Sequence, residues 1–110
     1  MISYADFEKV DIRVGTIIAA DVFPEAKKPA YKLVVDFGGD LGSKSSSVQI
    51  TKHYITSELI GKQVLCVVNF PARRIGPFMS DVLTLGLPDV DGNVVLVVPD
   101  KKVPNAGKMF

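Results

Sequence analysis

Two adjacent arginines, Arg73 and Arg74, sit in the stretch Asn69 to Ser80, which reads Asn-Phe-Pro-Ala-Arg-Arg-Ile-Gly-Pro-Phe-Met-Ser. Pro71, Gly76 and Pro77 are incompatible with an interior helix, so the sequence predicts a constrained loop at a sheet rim from which both guanidiniums project. Such a paired cation is suited to gripping phosphate. A merely solubilising loop is the competing reading, because most arginines are simply solvated.

Other chemistry finds less support. His53 is the only histidine and Cys66 the only cysteine, and Cys66 falls within an apolar strand run, so a cysteine and histidine catalytic pair would need two unfavourable placements at once. Metal ligation lacks paired spacing, and Asp89 and Asp91 are more simply hairpin-turn residues. Gly38-Gly39-Asp40-Leu41-Gly42 lacks the Lys-Ser/Thr ending of a phosphate-binding P-loop and reads as a turn. The expectation is a binding protein with no catalytic residue, no metal and no cofactor.

Ser45-Ser46-Ser47 leads directly into the alternation Val48, Gln49, Ile50, where hydroxyl and amide groups can bond phosphates, sugar hydroxyls or base edges. Phe70, Phe78, Tyr31 and Tyr54 could stack on bases, but Tyr31 and Phe70 are better placed in a core, which leaves Phe78 as the candidate contact.

These residues need a scaffold of strands. Runs rich in Val, Ile and Leu recur at Ile12–Val22, Tyr31–Phe37, Ser46–Thr51, Gln63–Phe70, Val82–Leu87 and Val94–Val98, each bounded by Gly, Pro, Asp or Ser. Ser3 and Asp6 start a short helix over Tyr4 to Lys9, and Tyr54 to Ile60, stopped by Gly61, predicts another. A helix between the third and fourth of about five strands is the arrangement of an OB-fold, so the expected architecture is an all-β, five-stranded Greek-key barrel. Gly15 suggests a bulge within the first run, and Asp91-Gly92-Asn93 a hairpin turn.

Strand parity sorts the candidates further. Val64, Cys66, Val68 and Phe70 share an apolar face opposite Gln63, Leu65, Val67 and Asn69. Lys32, Ser47, Gln49 and Asn69 thus emerge as non-core positions on separate strands, whereas strict alternation turns Ser46 inward unless its strand begins at Ser47.

At 110 residues, 47% hydrophobic and 23% charged, the chain fits one domain over 1-110. No apolar run approaches the ~20 residues of a membrane span and no leader pattern opens the chain, so the expectation is a cytoplasmic protein without membrane insertion. A net charge of +1 is too small for binding by bulk electrostatics. Clustering must carry it: Lys27, Lys28, Lys32, Lys44, Lys52, Arg73 and Arg74 precede the acidic Asp81, Asp89, Asp91 and Asp100.

In order along the chain, Asp11-Ile12-Arg13-Val14-Gly15-Thr16-Ile17, Pro24-Glu25-Ala26-Lys27, Lys32-Leu33-Val34-Val35-Asp36-Phe37-Gly38, Ser46-Ser47-Val48-Gln49-Ile50-Thr51 and Asn69-Phe70-Pro71 with Arg73-Arg74-Ile75 resemble the CsaA family. That family belongs to a wider group of tRNA-binding OB-fold domains, also found at the carboxyl end of methionyl-tRNA synthetases and in EMAP-II-like proteins. The resemblance implies a cytoplasmic homodimer that binds tRNA-like structured RNA and acts as a chaperone for unfolded preproteins in export. It also implies an RNA-facing set of Lys32, Ser46, Ser47, Gln49, Asn69, Arg73, Arg74 and Ser80.

Two departures stand out: Gly76-Pro77-Phe78-Met79 replaces an Ala-Gly-Phe-Lys-like run before the serine, and Ser45 stands where glutamine is frequent. The alternative reading is a polypeptide-binding chaperone with little RNA binding, whose apolar groove would use Leu65, Val67, Phe78 and Met79, a flexible thioether suiting varied apolar partners. The start at Met1 and one OB-sized unit favour a free-standing chain over a piece of a synthetase. Tyr4, Phe7, Met109 and Phe110 lack obvious core partners in so small a barrel, and a two-fold partner could cover them.

Overall fold

In the computed structural model, which describes residues 1–110, the long first run is a single strand, β1 (Ile12–Val22), that pairs along both its edges. Its carboxyl half pairs antiparallel with β2 (Tyr31–Asp36) and its amino half with β4 (Gln63–Val67). On the outer edge of β2 lies β3 (Ser43–Val48), and β4 takes a two-residue partner, β7 (Leu83–Thr84). The sheet order is therefore β3-β2-β1-β4-β7. The amides of Asp81 and Val82 both donate to the Ser45 carbonyl, at 2.9 and 3.2 Å, bringing the β7 edge back to β3 and nearly closing the sheet. This is the expected five-stranded OB-type barrel.

Serving two neighbours requires β1 to bend. The register slips between Ile17 and Ala19, leaving Ile18 exposed, so the bulge lies beyond Gly15 rather than at it. Gly15 is needed for a different reason. A Cβ there would lie 2.6 Å from Val35 Cγ1 and 2.8 Å from Phe37 Cδ1, so only a bare backbone lets the second strand's side chains cross beneath it.

Short helix α1 (Tyr4–Glu8) starts with a capping box: Ser3 Oγ accepts from the Asp6 amide at 3.2 Å while an Asp6 carboxylate oxygen accepts from the Ser3 amide at 3.0 Å. Those bonds favour the ionised form and lower the Asp6 pKa. Helix α2 (Thr56–Leu59) fills the expected place between β3 and β4, ends before Gly61 at φ +90°, and drives Leu59 into the core.

Ile17, Leu33, Val35, Phe37, Ile50, Leu59, Val64 and Cys66 form the centre of the core. Tyr31 packs there as expected, its hydroxyl donating to the Tyr54 carbonyl at 2.7 Å. Phe70 does not: β4 ends at Val67, the chain turns outward, and Phe70 is left 54% exposed. Alternation also breaks at Val67, which is buried beside Cys66.

The expected strand over 82–87 divides at Leu85 into β7 and β8 (Gly86–Pro88), which pairs with β9 (Val94–Leu96) as a hairpin around Asp91-Gly92. Residues 73–80 form a second hairpin, β5 (Arg73–Ile75) with β6 (Phe78–Ser80), where the sequence predicted a loop. Gly76, at φ +57° and followed by Pro77, makes the two-residue turn. The residues that forbid a helix thus permit a tight hairpin.

Candidate functional site

The β5–β6 hairpin is held against β3 by a polar latch. Asp81 accepts from the Ser45 amide at 3.2 Å and lies 2.8 Å from the Ser45 hydroxyl, which is also 2.6 Å from the Met79 carbonyl. The Ser47 amide donates to Ser80 Oγ at 3.0 Å. The Ser45 hydroxyl and the Ser47 amide of β3 therefore fasten the arginine-bearing hairpin to the barrel wall.

This attachment opens a cleft of about 570 Å³ beside the hairpin, lined by Glu25, Lys27, Lys28, Ser47, Gln49, Arg73, Arg74, Ile75 and Gly76. Neither arginine has a carboxylate partner within 4.0 Å; Arg74 has only a long 3.4 Å hydrogen bond to the Gly76 carbonyl. Four cations therefore face one carboxylate, Glu25, with the Ser47 hydroxyl and the Gln49 amide between them. Such a surface can hold a polyanion through its phosphates and add directional hydrogen bonds.

Four of the expected RNA-facing residues, Ser47, Gln49, Arg73 and Arg74, come together here. Lys32 is the cross-strand partner of Ser47, but its ammonium lies 5.4 Å from the Phe23 ring centroid and it is not among the residues lining the cleft. Asn69 is exposed yet engaged: Oδ1 accepts from the Asp11 amide at 3.0 Å and Nδ2 donates to the Lys9 carbonyl at 2.8 Å, tying the α1–β1 connection to the chain just past β4.

Ser46 corrects its expected place on the surface. It is 0% exposed, with Oγ 3.0 Å from the Val82 carbonyl and 2.8 Å from Thr84 Oγ1, a buried polar bridge across the barrel seam. Ser80 is likewise buried and belongs to the latch. Lys27 and Lys28 are the cleft cations missing from the expected set. They follow Pro24 on the β1–β2 connection, and only the tertiary fold carries that connection to β5.

An apolar cleft of about 420 Å³ adjoins the basic one, sharing Ser47, Arg73 and Ile75 and adding Phe70, Pro71, Ser80, Asp81, Val82 and Leu83. The expected peptide-binding set does not assemble around it. Val67 is 3% exposed, flanked by Ile12 of β1 on one edge and Leu83 of β7 on the other. Leu65 lies in a different groove with Val14, Pro104 and Phe110. Phe78 is half-buried, its ring edge-on to Phe23 at 5.4 Å, while Met79 is exposed on β6.

Cys66 sits in the core, where burial pushes its thiol up to about 11, so the nucleophilic and metal-binding thiolate is suppressed at neutral pH. His53 lies elsewhere, on the surface, with Nε2 2.6 Å from an Asp89 carboxylate oxygen. No three His, Cys, Asp or Glu residues gather in a metal-ligating cluster. No helix is long and apolar enough to cross a membrane.

Residues 12–108 match the family model of a putative tRNA-binding domain. The chaperone CsaA from Bacillus anthracis superposes with a TM-score of 0.92 at 47% identity, covering 100% of this chain and 99% of the other. The CsaA chaperone from Picrophilus torridus gives 0.92 at 50% identity with both chains covered in full. A methionine–tRNA ligase of Porphyromonas gingivalis is 36% identical over 102 residues, which is 93% of this chain but only 15% of the ligase.

Proposed function

This chain belongs to the tRNA-binding domain family, and from that membership we propose that it binds tRNA-like structured RNA through the cleft beside the β5–β6 hairpin. The observation that carries the reading is the convergence of Lys27, Lys28, Arg73 and Arg74 on a surface with one opposing carboxylate, Glu25. Arg73, Arg74 and the lysines contact phosphates; Ser47 and Gln49 supply hydrogen bonds to sugar or base edges. Ser46 and Ser80 hold β3 and the hairpin on which those side chains ride, Lys32 adds a cation beside Ser47, and Asn69 serves the fold at the α1–β1 connection. The family is defined by binding, not catalysis, and the cleft holds no nucleophile paired with a base.

The same protein works in the cytoplasm as a homodimeric chaperone for unfolded preproteins. The apolar cleft supports a polypeptide site, with Phe70 and Leu83 exposed along it and Arg73 at the shared rim. Similarity to CsaA chaperones over the full chain points the same way. For the dimer, Tyr4, Phe7, Val10, Met109 and Phe110 line, with Glu8 and Lys108, a mixed groove at the chain termini that a second copy would cover.

Titrating the purified protein with total tRNA and with an unfolded polypeptide at two salt concentrations tests both ligands. RNA affinity falls steeply with salt, while polypeptide affinity is salt-tolerant and weakens when Phe70 and Leu83 become serine. No RNA binding even at low salt would reject the first reading. Polypeptide binding insensitive to the serine changes would reject the second.

A further inference from the structure

A second basic cleft, of about 410 Å³, lies away from the arginine hairpin and shares no residue with it. It is lined by Lys62, Lys101 and Lys102 with Thr16 and Gln63. We propose that this cleft is a second phosphate-contacting surface for the same structured RNA, an inference that rests on the RNA-binding reading above.

The lysines are poorly neutralised. Only Lys101 has a carboxylate within reach, Asp100 at 3.8 Å, and both side chains are almost wholly in water, where such a pair is weak. Lys62 and Lys102 have no acidic partner within 4.0 Å.

Their backbone is fixed from two directions. Ile17 donates to the Lys62 carbonyl at 2.9 Å, which sets Lys62 against β1, and its ammonium lies 5.9 Å from the Tyr54 ring centroid. On the other rim, Gln63 grips the carboxyl-terminal segment with both ends of its amide. Nε2 donates to the Val103 carbonyl at 2.7 Å and Oε1 accepts from the Val103 amide at 3.1 Å.

Thr16 Oγ1 donates to Asn105 Oδ1 at 3.0 Å, which fastens that segment once more, just beyond Lys101 and Lys102. Cations held on two rims of an open polar channel suit a run of phosphates rather than one small anion. Neutralising a phosphate releases counterions, so each contact adds a measurable increment to the salt dependence of binding.

The test is the slope of log K against log salt for tRNA with the intact protein and with K62Q/K101Q/K102Q. Three lost contacts lower the slope by about 2 to 3. K9Q removes one charge at a position that lines neither cleft and leaves the slope nearly unchanged. Asp100→Asn removes the local carboxylate and raises RNA affinity.

An unchanged slope in the first variant overturns the proposal, as does an equal fall per charge in the control, which would indicate bulk charge alone. R73A/R74A separates the two levels of inference. If its slope falls while that of the lysine variant does not, only the second surface fails. If no variant changes RNA binding, the RNA reading itself fails.

Discussion

The two hairpins that project from the barrel, β5–β6 and β8–β9, have strands of the same length and handle charge in opposite ways. In β8–β9 the charge is spent inside the structure. Asp89 accepts from the Asp91 and Asn93 amides, each at 2.8 Å, and meets His53 Nε2 at 2.6 Å. In β5–β6 the arginines have no carboxylate, and the polar bonds lie at the hairpin's base, through Ser45, Ser47, Ser80 and Asp81. Charge satisfied by its own fold is structural; charge held in place but left unpaired is available to a ligand.

The largest expected effect breaks this contrast at its centre. R73A/R74A lowers tRNA affinity on the order of a hundredfold, as two charge-assisted contacts of about 1.5 kcal/mol each would give. Its thermal melting point stays near that of the intact protein, because neither side chain supports the fold. Asp89→Ala does the reverse, lowering the melting point and sparing RNA affinity.

A smaller effect comes from the base of the first hairpin. Asp81→Ala leaves the Ser45 amide without its carboxylate and costs about 1 to 2 kcal/mol of stability, read by denaturant unfolding. RNA affinity falls several-fold as the arginines lose their footing. Ser46→Ala costs a similar amount by opening the buried bridge to Thr84, but leaves the salt slope intact because its hydroxyl never meets ligand.

The smallest effect is a pH dependence confined to β8–β9. The His53 hydrogen bond, then the Asn93 amide, hold the Asp89 pKa below its usual 3.8. A carboxyl depressed in the folded state contributes stability above its unfolded value and loses it as pH falls through the folded one. Amide exchange at Asp91 and Asn93 therefore quickens on acidification below that value, while exchange in β5–β6 follows only the ordinary pH trend.

The barrel was legible because it rests on local signals. Period-two alternation set β2 and turned Ser46 inward, the Ser3 cap began α1, and Gly61 stopped α2. Alternation failed at Val67, where neighbouring strands on both edges leave successive residues buried, and at Phe70, beyond the end of the strand. Gly15 signalled an irregularity, yet its cause is a side chain from the neighbouring strand, which no local pattern records.

The site was legible in its types more than in its membership. Arg73, Arg74, Ser47 and Gln49 line one cleft, but Lys27 and Lys28 join them only because the β1–β2 connection folds back toward β5. Asn69 looked like a ligand contact because strand parity set it off the core and the family resemblance placed it in the RNA-facing set. Its partners, Asp11 and Lys9, are about sixty residues away in sequence and visible only in the fold.

Amide chemical-shift mapping of the labelled protein with tRNA tests the assignment of the RNA face most directly. The account predicts shifts concentrated at Lys27, Lys28, Ser47, Gln49 and Arg73 to Gly76, with Asp89 to Asn93 unmoved. Shifts centred on Asp89 to Asn93, with the arginine hairpin silent, would contradict it.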